Sequence, residues 1–170
     1  MSEQTPFAGL EPFFEVVRRI ILVLAGLAGA AILVMVGITV TDVVLRIFRT
    51  GIPGAYDVVR ICGALCIGCG LPYVTAVKGH IAIEFIYRSL SRRGRVALDS
   101  AFRVVALALF GFLAWQNVRY GLSLHASGLL MPTLKLPVFW IPFVISFDFV
   151  LVCLVIFYHL LHPGREMIAS

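Results

Sequence analysis

An aspartate in the middle of an apolar run is the first residue here whose type raises a chemical question. Asp148 stands between Phe147 and Phe149, well inside the stretch Val138–Leu161. If that stretch lies in hydrocarbon, an ionised carboxylate there is costly unless it is paired, hydrated or protonated. Two kinds of chemistry follow. One is proton or ion coupling along a transport path. The other is a polar clasp to a neighbouring helix, with Gln116 or Asn117 as candidate partners. The clasp is the preferred reading, because a transport path needs several polar residues converging at one depth. The first two apolar stretches offer almost none.

The histidines and cysteines pose the next questions. His80, His125, His159 and His162 are candidate haem ligands, and a bis-histidine haem needs two imidazoles facing each other at one depth. His80, His159 and His162 fall near one set of span ends and His125 near the other. Histidines at headgroup level are the simpler reading. Cys62, Cys66 and Cys69 recur at i, i+4 and i+7, one face of a helix, and Cys153 lies in a later apolar run. A thiolate metal site needs further ligands and an outer shell, and no histidine or carboxylate is adjacent in sequence. The cysteines therefore read as small, polarisable packing residues. There is no nucleophile elbow, no phosphate-binding glycine loop and no zinc helix motif, so nothing argues for an enzyme.

The elements that must position these residues follow from composition. Of 170 residues, 61% are hydrophobic and 14% charged, too few polar groups to cover a soluble core of this size. The apolar residues come in long blocks, so lipid is the solvent for most of the chain. The expected fold is an all-α membrane protein of four transmembrane helices with short interfacial helical segments, forming a single membrane domain over residues 1–170. The spans are expected at about 20–40, 58–77, 98–124 and 138–161, and the interfacial segments at about 7–18 and 81–93. Ile20–Val40 carries no charge over 21 residues, too long for a signal-peptide core, and reads as a retained span.

Breaks and charges mark the boundaries. Thr50-Gly51-Ile52-Pro53-Gly54 separates the first two spans. Pro72 is expected to kink the second span, which also carries a small-residue surface through Gly63, Ala64, Gly68 and Gly70. Asp42 and Arg46 can pair at i, i+4, as can Asp99 and Arg103. Four spans place both termini and the central loop on one side. That side holds Arg18, Arg19, Lys78, Arg88, Arg92, Arg93, Arg95, Arg103 and Arg165, against Arg46, Arg49, Arg60, Arg119 and Lys135 on the other. The positive-inside rule puts both termini in the cytoplasm. The formal net charge of +5 is explained by these boundary residues and anionic headgroups, so no nucleic-acid partner is expected.

Four sequence features in order resemble one family. Asp42-Val43-Val44-Leu45-Arg46 follows the first span, and Gly51-Ile52-Pro53-Gly54 with Asp57 opens the second. Lys78-Gly79-His80-Ile81-Ala82-Ile83-Glu84 closes the second, and Thr133-Leu134-Lys135-Leu136-Pro137 with Trp140 opens the fourth. Together, over about residues 15–162, they resemble the DctQ-like small membrane subunit of tripartite ATP-independent periplasmic (TRAP) transporters. Asp57 stands where glutamate is more usual, and Asp148 and the cysteines have no counterpart in the pattern.

The resemblance implies a division of labour. A large membrane subunit would carry substrate and Na+ and move as an elevator in the bacterial inner membrane. A periplasmic substrate-binding protein would deliver an organic acid. The small subunit would be a non-catalytic stator, bind no cofactor itself, and offer part of the docking surface. On that reading Arg46, Arg49, Asp57 and Lys135 are docking candidates. Asp42, Arg46, Asp57 and Arg60 form a structural polar cluster, and Gly79, His80 and Glu84 mark the cytoplasmic boundary. The alternatives are a haem- or quinone-binding membrane anchor of a respiratory enzyme, and a self-sufficient small exporter. The exporter would need an ionisable residue in a first span that has none.

Overall fold

The computed structural model describes the backbone of residues 11–77 and 92–161, and the side chains of residues 13–77 and 101–160. Four helices make up the described chain: α1 (Glu11–Ile47), α2 (Ala55–Ala76), α3 (Arg92–Ser127) and α4 (Trp140–Leu161). Each contains a segment long and apolar enough to cross a membrane. The protein is a multi-pass membrane protein.

The helices differ in length for a reason. α2 and α4 have 22 residues each, about 33 Å at 1.5 Å per residue, close to the ~30 Å of a hydrocarbon core. α1 has 37 and α3 has 36, about 55 Å, so both must tilt or project beyond the hydrocarbon. Hydroxyls within α1 need no outside partner, since Thr39 and Thr41 donate to the carbonyls of Met35 and Gly37 one turn back.

Of the expected interfacial segment 7–18, residues 7–10 lie outside the described residues, and residues 11–18 do not form a separate element. They are the first turns of α1, because Phe14, Val17 and Ile21 bury themselves against Ala76 of α2 and Leu151 and Val155 of α4. That contact continues the helix through the expected boundary. The expected segment 81–93 lies outside the described residues except for its last two, which begin α3. Gly79, His80 and Glu84 also lie outside them.

Packing sets the helix order. α2 packs against both α1 and α4, and α3 packs against α4, so the helices line up as α1, α2, α4, α3. One apolar cluster closes the end near Phe14. A second gathers Leu124, Met131, Val138 and Ile141 at the opposite end, with Ile61 and Ala64 of α2 against it. This second end carries both short connections, residues 48–54 and 128–139, and is called the loop end below.

Candidate functional site

The loop end is where the sequence-predicted polar residues meet, and each connection has a defined local shape. α1 stops in a Schellman arrangement: Thr50 N–H donates to the Leu45 carbonyl and Arg49 N–H to that of Arg46. Arg49 takes the left-handed position there, with φ of 60°, where glycine is usual. α3 stops at Gly128, also left-handed. The chain then makes a tight hairpin in which Met131 N–H donates to Leu136 and Val138 N–H donates to Leu129. Lys135 sits at its turn, again left-handed with φ of 55°.

Two carboxylates fix these connections. Asp42 accepts from the Ile52 N–H through Oδ1 and from Arg46 Nε through Oδ2, both at 2.8 Å. It therefore ties the end of α1 to the chain entering α2. Asp57, in the first turn of α2, accepts from the N–H groups of Thr133 and Leu134 through Oδ2, both at 2.9 Å. It is 1% exposed. Gly54 completes the fit: its φ is +85°, and a Cβ there would meet Leu134 Cδ2 at 2.7 Å. The two connections form one locked plate.

The expected four-residue cluster is therefore two separate nodes. Asp42 and Arg46 form one, Asp57 and the hairpin backbone form the other, and Arg60 is exposed and joins neither. The carboxylates part because each reaches the loop backbone nearest to it, and free N–H groups in a turn are better donors than a distant guanidinium. Asp57, also expected as a docking residue, is buried beneath the hairpin and presents no outward surface in this chain. Arg46, Arg49 and Lys135 are exposed, although Arg46 is held by Asp42. With both acids turned inward, the described side chains that project charge from this end are basic: Arg46, Arg49, Arg60 and Lys135. Arg119 lies nearby on α3, 5.2 Å from the centre of the Trp115 ring.

Within the membrane, Asp148 does not reach α3. Asn117 donates to the Leu113 carbonyl of its own helix, and Gln116 is exposed. Asp148 instead faces α2, where a Cβ on Gly68 would meet its Oδ2 at 2.8 Å. The clasp to α3 comes from Ser146, whose hydroxyl donates to the Ala114 carbonyl at 2.9 Å. Residues two apart on a helix point about 200° from each other, so with Ser146 on α3, Asp148 must look toward α2. Ser146 was missed in the sequence, where a serine two residues before the aspartate was its only signal.

The remaining candidates are far apart. His125 sits at the loop end with its ring 4.8 Å from that of Phe139. His159 is buried near the other end of α4, and its carbonyl accepts from the Arg103 guanidinium. These two cannot share a haem. His80 and His162 lie outside the described residues, as does the side chain of Asp99. Cys62 and Cys69 are buried and Cys66 half-buried, all as free thiols.

Comparison with known proteins adds the family context. A family model described as the DctQ component of tripartite ATP-independent periplasmic transporters matches residues 35–165. A curated relative, the ectoine TRAP transporter small permease protein TeaB of Halomonas elongata, is 30% identical over 121 residues. That match covers 65% of this chain and 60% of the relative, so the shared part is well short of the relative's full length. No solved structure matches the chain significantly.

Proposed function

Because this chain belongs to the DctQ family of TRAP transporter components, we propose that it serves as the stator of a three-part importer. In this reading it holds the scaffold of a large elevator-type membrane subunit in place. It also contributes part of the surface on which a periplasmic substrate-binding protein docks. The chain binds neither substrate nor Na+ itself; sodium coupling and an organic-acid cargo belong to the partners. The protein sits in the inner membrane with both termini cytoplasmic, which makes the loop end periplasmic. The named relative is linked to ectoine, so ectoine-like solutes form a second cargo class to assay beside organic acids.

One observation carries this reading: the locked plate. Asp57 and Gly54 join the two connections into a rigid surface whose projecting charges are basic. A surface that must receive a soluble protein while a neighbouring subunit moves benefits from such preorganisation. Arg49 and Lys135 hold left-handed backbone conformations that cost roughly 1–2 kcal/mol each relative to glycine. Such costs are often tolerated where a side chain serves a function.

Arg49→Gly and Lys135→Gly test this without harming the fold. Both should leave thermal stability equal or improved, while binding-protein-dependent uptake falls. Arg49→Glu and Lys135→Glu should lower uptake further and make it sensitive to ionic strength in the opposite sense. Unchanged uptake kinetics in all four variants would remove the plate from the docking surface. The respiratory-anchor alternative finds no facing pair among the described histidines, and visible absorbance of the purified complex tests it directly.

A further inference from the structure

Asp148 is 1% exposed, and neither of its carboxyl oxygens has a hydrogen-bond partner among the described residues. It lies about 12 Å along α4 from Trp140 and about 20 Å from Leu161 at 1.5 Å per residue. That depth is inside the hydrocarbon of a bilayer whose apolar core is ~30 Å thick. Among the described residues the surroundings supply no charge. On α2 the carboxyl faces Gly68, which has no side chain, and the Cys69 thiol lies beside it with Cys66 next on that face. On α3, Arg103 is engaged at His159 and Arg119 at Trp115, toward opposite ends of the helix. On α1, Asp42 and Arg46 are paired at the loop end, and Glu15 and Arg19 pair near the other. Ser146, the nearest hydroxyl on α4, is spent on the Ala114 carbonyl. Backbone N–H groups at this level are used within the helices.

An ionised carboxylate in such a setting has only the weak S–H donor of Cys69 to replace its hydration. We propose that Asp148 crosses the membrane as an uncharged carboxylic acid seated in the Gly68 socket, and that this proton holds the α2–α4 seam closed. The acid O–H then has the Cys69 sulfur beside it as a weak acceptor. Gly68 makes the room for the carboxyl: a Cβ there would lie 2.8 Å from Oδ2 and 3.8 Å from Cγ, so the carboxyl would have to shift. The device makes the seam sensitive to rising pH. In the unfolded chain the side chain meets water and ionises, so the folded state holds one proton more. Stability then falls as pH rises, and the slope disappears when the group cannot ionise. This inference does not depend on the partners proposed above.

The test uses the full chain reconstituted in lipid nanodiscs. At neutral pH, infrared spectra of the wild type should contain the carbonyl stretch of a protonated carboxyl that is absent from Asp148→Asn. The wild-type melting temperature should fall as pH is raised from acid to alkaline, relative to Asp148→Asn, which should melt no lower than wild type at neutral pH. Absence of that band, or an Asp148→Asn protein that melts well below wild type at every pH, would overturn the proposal, because the charge itself would then be required. A rise in wild-type melting temperature with Na+ that Asp148→Asn lacks would overturn it in favour of a cation site. Should Asp148→Asn fail to assemble, Gly68→Ala decides. It should lower the melting temperature in the wild type and lose much of that effect in an Asp148→Ala background. Fully additive effects would mean that the socket does not hold the carboxyl.

Discussion

Asp57 and Asp148 are equally buried, at 1% exposure each, yet they are solved in opposite ways. Asp57 lies where α2 begins and the hairpin passes overhead, so two backbone N–H groups with no helical partner are available to it. Asp148 lies in mid-helix, where every nearby N–H is already used, and its neighbours on α2 are a glycine and a thiol. Burial therefore does not decide what a carboxylate does in this protein; the supply of free donors does. At a turn the carboxylate accepts from two free N–H groups and locks two loops together. In mid-span the charge is unsupported, and a proton takes the place of the missing donor.

The comparison is most easily broken at Asp57. Asp57→Ala leaves two loop N–H groups without their acceptor and should cost about 2–3 kcal/mol, read as a lower melting temperature of the chain in lipid. It should also free the hairpin, so backbone amide exchange at Thr133 and Leu134 should accelerate. An unaltered exchange pattern would mean that the plate is not held through this carboxylate. Gly54→Ala attacks the same joint sterically. A side chain at φ +85° costs about 1–2 kcal/mol and also pushes on Leu134. The melting temperature should drop, by less than for Asp57→Ala.

Asp42→Asn is milder. The amide oxygen can still accept from the Ile52 N–H, and the lost partner, Arg46, is 71% exposed at its side chain. Solvent screening makes that ion pair weak, so a loss of about 1 kcal/mol or less is expected from the weakened hydrogen bonds. A loss as large as that of Asp57→Ala would mean that the two nodes act as one cluster after all. Asp148→Asn should have the smallest effect at neutral pH, with the sodium dependence of uptake intact. A changed coupling ratio would place Asp148 on an ion path instead of in a seam.

Much of this was legible in the sequence, and what was not has identifiable causes. Four helices, the break at Gly51–Gly54 and the pairing of Asp42 with Arg46 follow from local patterns: apolar length, turn residues and i, i+4 spacing. The partners of Asp57 lie 76 and 77 residues away, and they are backbone groups, which no side-chain pattern announces. The facing of Asp148 depends on helix order. Only with α4 between α2 and α3 do Ser146 and Asp148 divide its two sides. The merging of residues 11–18 into α1 likewise depends on a tertiary contact, Phe14 and Val17 against α4, that an amphipathic pattern cannot distinguish from contact with a membrane surface.

Whether this chain is the fixed subunit of a larger transporter can be read by isolating the tagged full chain from its native membrane in mild detergent and identifying its partners by mass spectrometry. One large polytopic membrane subunit is expected in equal amount, with a periplasmic binding protein joining when its substrate is present. Recovery of dehydrogenase subunits or a haem-coloured sample would contradict it, and so would a chain that purifies alone and transports solute by itself in liposomes.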